Sequence, residues 1–216
     1  MPRHMPRFDL QFAAEAKTAN EIVMAGEASY VREGFLPDGW TPKRLEFLYE
    51  LAYLRAFSAW EETLEAILIR SLCGFASSAG QEIPVLGAYF RTLADAEAAL
   101  LAGRPFLLWH DSGKVISRCR AHVDSTLPAH PALQERTIAS NQARLDAFAH
   151  IRHRVVHEQN DARAKFNTAT LMIAGQTYRE ARPGKFLRDV DSTVAPPRKW
   201  LETIVLELQG MLAQMV

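Results

Sequence analysis

The chain has few cysteines, no long apolar run and no excess of charge of either sign. Its 216 residues hold two cysteines, Cys73 and Cys119, both in helical patterns and without metal-ligand spacing. Buried reduced thiols of a cytoplasmic protein are therefore the expectation. Lysine plus arginine total 25 and aspartate plus glutamate 25, so no general electrostatic grip on nucleic acid is advertised. Any RNA contact has to be a local basic patch. No stretch approaches the ~18 apolar residues of a membrane span, and Met1 to Arg7 lacks the apolar core of a signal peptide. Those seven residues read as a flexible arm or an appended remnant outside the fold. Internal repeats and low-complexity segments are also missing.

A hydrophobic content of 48% and a charged content of 23% are those of a soluble globular protein. The length suffices for one domain with a sizeable core, placed at residues 8–216. Apolar residues at helical spacing predict a helix from Phe8 to about Val31, and Gly34, Pro37, Asp38 and Gly39 break it. Thr41-Pro42 then supplies a cap and a first-turn proline for a long helix to Leu72. Gly74 to Gly87 reads as a loop, and Ala88 to Ala102 as a short helix closed by Gly103 and Pro105. Phe106 to Trp109 fits strand or buried helix equally. Asp111 and Ser112 cap a helix holding Val115, Ile116 and Cys119. After a break at Pro128 to Pro131, a helix runs from about Ala132 to Gln159, and Ala162 to Ala174 resumes the pattern. Gly175 to Gly184 is a hairpin or an irregular turn. Pro196-Pro197 precedes a last helix in which Trp200, Ile204, Leu208 and Leu212 repeat at helical spacing. The expectation is an all-α bundle of five to seven helices with a small irregular or hairpin insertion near residues 175–190.

One stretch has an unusual density of cations. Between His150 and His157 stand three of the seven histidines, with Arg152 and Arg154. At about 100° per residue, Leu145, Phe148, Ile151 and Val155 share one side of a helix, and His150, His153, Arg154 and His157 another. Arg152 projects within roughly 60° of Phe148 and Val155, at the edge of the apolar stripe, where a guanidinium needs an anionic partner or a functional role. His157 follows about 7.5 Å further along the axis and about 140° round it. On the long second helix, Glu61 falls in the middle of the core-facing stripe with Phe57, Leu64 and Leu68, while Glu62 points to solvent and Glu65 lies at the margin. A carboxylate at that place wants a cation. Glu61 is half of a structural ion pair, or marks a place where the helix rotates, or is the group that orients Arg152. His110 and His122 stand singly on apolar-flanked segments and read as structural.

The run Arg152-His153-Arg154-Val155-Val156-His157 resembles the signature of the HEPN superfamily, all-helical domains in which an arginine is followed four to six residues later by a histidine. The second position there is typically Asn, Asp or His, and His153 fits it. The likeness extends loosely over residues 41–175 and is closest to single-domain bacterial members found in defence and toxin–antitoxin settings. It implies a metal-independent endoribonuclease without a cofactor, acting on RNA as a homodimer with a composite active site, and an antitoxin or other defence-system partner protein. Such cleavage needs a base for the 2′-hydroxyl proton, an acid for the leaving oxygen, and a cation for the charge that builds at phosphorus. The resemblance implies His157 as base or acid and Arg152 as phosphate clamp, with His153 polarising the site or acting as a second acid or base. It also implies Glu61 as the supporting acidic residue, with a 2′,3′-cyclic phosphate and a 5′-hydroxyl as the products. In those HEPN toxins that are silenced by modification of a tyrosine, the tyrosine follows the motif histidine by two positions; Gln159 stands there in this chain, which argues against control by that chemistry.

Two other readings compete. His153 and His157 lie four apart with His150 three before them, which is ligand spacing on a helix. Such a site needs a further ligand, Glu158 points elsewhere, and Arg154 occupies the place of the glutamate in HExxH. The other alternative is a non-catalytic HEPN module that binds RNA, a nucleotide or a partner protein in a defence complex.

Overall fold

Helix α1 (Phe8–Glu33) opens the helical part of the chain and α2 (Pro42–Leu72) follows it. The computed structural model describes residues 3–33, 39–124 and 133–216. The expected breaks at Gly34, Pro37, Asp38 and Pro128 to Pro131 lie outside the described residues. The remaining helices are α3 (Leu93–Leu101), α4 (Ser112–His122), α5 (Leu133–Ser140), α6 (Gln142–Val156), α7 (Asn160–Ala174), α8 (Pro183–Arg188) and α9 (Trp200–Ala213). The fold class is all-α, with nine α-helices among the described residues and strands of two residues each. No described helix is long and apolar enough to cross a membrane.

Local chemistry sets several boundaries. Thr41 opens α2 by accepting the amide of Arg44 at 3.2 Å, Thr92 caps α3 through Asp95 N at 3.1 Å, and Asp111 caps α4 through Lys114 N at 3.0 Å. Gly175, with φ of 67°, ends α7 in the left-handed conformation that a residue without Cβ adopts at no steric cost.

The chain divides into two compact units. The buried positions of α2, Tyr49, Tyr53, Phe57, Trp60, Leu64, Ile67 and Leu68, keep helical spacing throughout, and no composition break marks the division at residues 59 and 60. One unit comprises residues 1–11, 60–145 and 209–216, and it buries Leu64, Ile67, Leu72, Val115, Cys119, Ile138 and Leu212. Gln134 on α5 donates its side-chain amide to Leu64 O at 2.8 Å. Within the expected flexible arm, residues 3–5 are held against the fold. Arg3–His4 (β1) pairs in parallel with Phe75–Ala76 (β2), Met5 N donates to Ala76 O at 2.7 Å, and Met5 is buried. A two-residue pairing has no periodicity for a sequence to display.

The other unit comprises residues 12–59 and 146–208. Tyr53 Oη donates to Phe148 O at 2.7 Å, a buried bond that ties α6 to α2. Glu27 on α1 receives Tyr49 Oη at 3.0 Å and both Arg188 Nε and Nη2, at 2.8 and 3.1 Å. Phe186 on α8 is fully buried, with Tyr178 at 5.4 Å, Trp200 at 5.5 Å and Phe166 at 6.2 Å between ring centroids.

Three expected segments take other forms, and a fourth keeps one of its two expected forms. The helix expected over 132–159 is interrupted at Asn141, whose side-chain amide turns back to Thr137 O at 2.8 Å while its own carbonyl starts α6. Residues 175–190 keep the irregular form, with a 3₁₀ turn at Arg179–Ala181 and then α8, while a hairpin lies later, with Val190–Asp191 (β3) antiparallel to Arg198–Lys199 (β4). Helix α3 starts at Leu93 rather than Ala88, and Phe106 to Trp109 is neither strand nor helix.

Candidate functional site

The last two turns of α6 carry the arginine–histidine run. Leu145, Phe148 and Ile151 are buried, as their spacing predicts, and this orients the opposite face of the helix. His150, Arg152, His153 and Arg154 are half-buried, and His157 is exposed one residue beyond the last helical residue, Val156. The rings of His153 and His157 lie 4.6 Å apart at 52°, and His157 N donates to His153 O at 2.9 Å. The four-residue spacing thus places two imidazoles side by side at the end of the helix, with Arg152 directly before His153 in the chain.

The electrostatics keep part of this face uncharged. Burial is the main cause that lowers the pKa of His150, helped by Lys165 on α7. Burial also lowers that of His153, with smaller contributions from His157 and Lys165. Both groups therefore favour the neutral imidazole more than an exposed histidine does, which suits acceptance of a proton near neutral pH. Asp161 on α7 opposes the lowering slightly, its own pKa held down by the Lys165 ammonium 2.8 Å away. Among the described residues no group of three or more histidines, cysteines or acidic residues is placed to hold a metal ion.

Arg154 has two hydrogen bonds to backbone carbonyls. Its Nε donates to Ala181 O and its Nη1 to His157 O, each at 3.0 Å. Beside it lies an open cavity of about 460 Å³ whose walls include Phe47, Glu50, Val155, Glu158, Glu180 and Arg182. Glu50 accepts Gly184 N at 2.8 Å, and burial raises its pKa. Arg182 pairs with Glu46 in the same wall.

Glu61 lies in the other unit, where its Oε1 meets His110 Nδ1 at 2.9 Å, both side chains being largely buried. Glu62 is exposed and Glu65 half-buried, as the helical phase predicts. That Glu61 wants a cationic partner was legible, but His110, 49 residues away, was not. The same holds for Arg154. Its position on the histidine face was legible, but an acceptor 27 residues away in an irregular turn was not.

Comparison of the chain with protein-family models, with curated proteins and with solved structures gives no match.

Proposed function

We propose that the chain is a metal-independent endoribonuclease of the HEPN type. The observation that carries the reading is the pair of adjacent imidazoles at the end of α6, His153 and His157, with Arg152 directly before His153 in the chain. Two histidines within reach of one phosphodiester can divide the work of base and acid, and a guanidinium binds the non-bridging oxygens in a fork. One imidazole takes the proton of the ribose 2′-hydroxyl as O2′ attacks phosphorus. The 5′-oxygen leaves with a proton from the acid, and the ends are a 2′,3′-cyclic phosphate and a 5′-hydroxyl. His157 is base or acid, His153 its complement, and Arg152 the clamp. A second copy of the chain presenting the same face would complete a composite site, and the setting is bacterial defence or toxin–antitoxin biology.

The test is incubation of the purified protein with mixed cellular RNA in EDTA, beside a His157→Ala variant shown by circular dichroism to be folded. Cleavage with cyclic-phosphate ends by the wild type alone supports the reading. Cleavage that His157→Ala retains refutes it. Equal numbers of basic and acidic residues favour a second reading, a non-catalytic module that binds RNA, a nucleotide or a partner protein. Retained RNA binding without cleavage would select it.

A further inference from the structure

We infer that Arg154 is a positioning residue for His157, acting through the backbone at the end of α6. The inference rests on the reading of His157 as an acid or base, and it concerns what holds that group in place.

His157 stands where the helix no longer supports it. Its amide still bonds to His153 O, but α6 ends at Val156, and the carbonyls of a last turn have no partner within the helix. Residues 157–159 are exposed, and Gln159 starts α7 without a side-chain cap. The direction in which the His157 side chain leaves the backbone depends on the backbone angles at that residue, so a free carbonyl there would leave that direction less fixed. Arg154 Nη1 occupies that carbonyl at 3.0 Å.

The same guanidinium is anchored on its other side. Nε donates to the carbonyl of Ala181, in a turn where Glu180 and Ala181 have φ of 63° and 48°. Residues with a Cβ adopt that left-handed backbone only at a cost, and the surrounding structure must hold it. Arg154 therefore fixes two irregular segments, 157–159 and 179–181, to each other. Only arginine can do this, because its planar fork presents Nε and Nη1 in fixed relation, whereas a lysine ammonium is a single point that cannot serve both carbonyls in the same geometry. The open cavity beside Arg154 supplies the means of a test, because deleting the side chain leaves its place reachable by a small guanidinium from solution.

The experiment compares wild type, Arg154→Ala, Arg154→Lys and Arg154→Gln, each checked for folding by circular dichroism, with and without methylguanidinium. Two quantities are read: amide exchange at His157 by NMR, and kcat and KM for RNA cleavage. Loss of the charge-assisted bond should speed His157 exchange about tenfold or more in Arg154→Ala and Arg154→Lys. It should lower kcat by a similar factor with KM nearly unchanged, and methylguanidinium should restore both in the alanine variant. Should that variant not fold, Arg154→Gln, which keeps one donor and much of the length, carries the exchange measurement. Unchanged His157 exchange overturns the inference. So does a loss confined to KM, which would make Arg154 a direct RNA contact. If the wild type does not cleave RNA, the nuclease reading fails by itself, while the exchange result still decides whether Arg154 holds His157.

Discussion

Replacing Gly184 by alanine tests how tightly α8 is seated on α2. A Cβ built on Gly184 would lie 2.2 Å from the carbonyl oxygen of Glu46, 2.5 Å from its carbonyl carbon and 2.7 Å from its Cβ. Since van der Waals contact needs about 3.5 Å, α8 would have to retreat by about 1 Å or more, and a helix backbone does not yield as a flexible side chain does. That movement strains the bond from Gly184 N to Glu50 at 2.8 Å and leaves a half-buried carboxylate without its donor. It also displaces Phe186, which is fully buried among Phe166, Tyr178 and Trp200. Overpacking costs about 1–3 kcal/mol and loss of a hydrogen bond to a charged group about 1.5–3 kcal/mol, so a loss of about 3–5 kcal/mol is expected. Urea unfolding followed by circular dichroism measures it, beside Gly210→Ala as control. A Cβ on Gly210 meets nothing within 4 Å, and alanine inside α9 should stabilise by about 0.5–1 kcal/mol. A loss below about 1 kcal/mol in Gly184→Ala, or the same sign for both variants, would refute the close approach of α8 to Glu46.

Three further outcomes follow from the charges and thiols. Burial raises the pKa of Glu50, so its ionised form is penalised in the folded state. Stability from this group is highest below the unfolded value of about 4.3 and declines as pH rises through the folded one. Glu50→Gln should therefore be more stable than wild type at pH 7, with the advantage gone in an unfolding series at pH 4. Glu27 behaves oppositely, because its bonds from Arg188 hold its pKa down more than burial raises it. Its contribution is complete above about 4.3 and vanishes as pH falls through the lower folded value. Glu27→Gln should cost about 1–2 kcal/mol at pH 7 and progressively less in acid. Cys119 is buried, and burial pushes its thiol up to about 12. It should resist a thiol reagent at pH 8 in native protein and react once urea unfolds the chain; prompt native labelling would contradict its burial.

Much of the candidate site was legible because it lies within one helix. The spacing of Leu145, Phe148 and Ile151 determines which side of α6 is buried, and from that follow the half-buried edge position of Arg152 and the shared face of His153 and His157. The caps at Thr41 and Asp111 were legible for the same reason, since donor and acceptor lie three residues apart. The break at Asn141 was not, because one polar residue inside a continuous apolar pattern does not show that its amide will turn back to Thr137.

Local order alone determined the all-α class, the phase of each long helix and the gathering of arginine and histidine at one helix end. These depend on a period of 3.6 residues and on bonds spanning three or four positions, which a sequence displays directly. Tertiary structure alone decided that Glu61 meets His110, that Arg154 reaches both Ala181 and His157, and that Gly184 must lack a Cβ. Two of these three depend wholly on segments far apart in the chain, and in the third the distant half is Ala181. Their partners are selected by the packing of whole helices, which no short window of sequence contains.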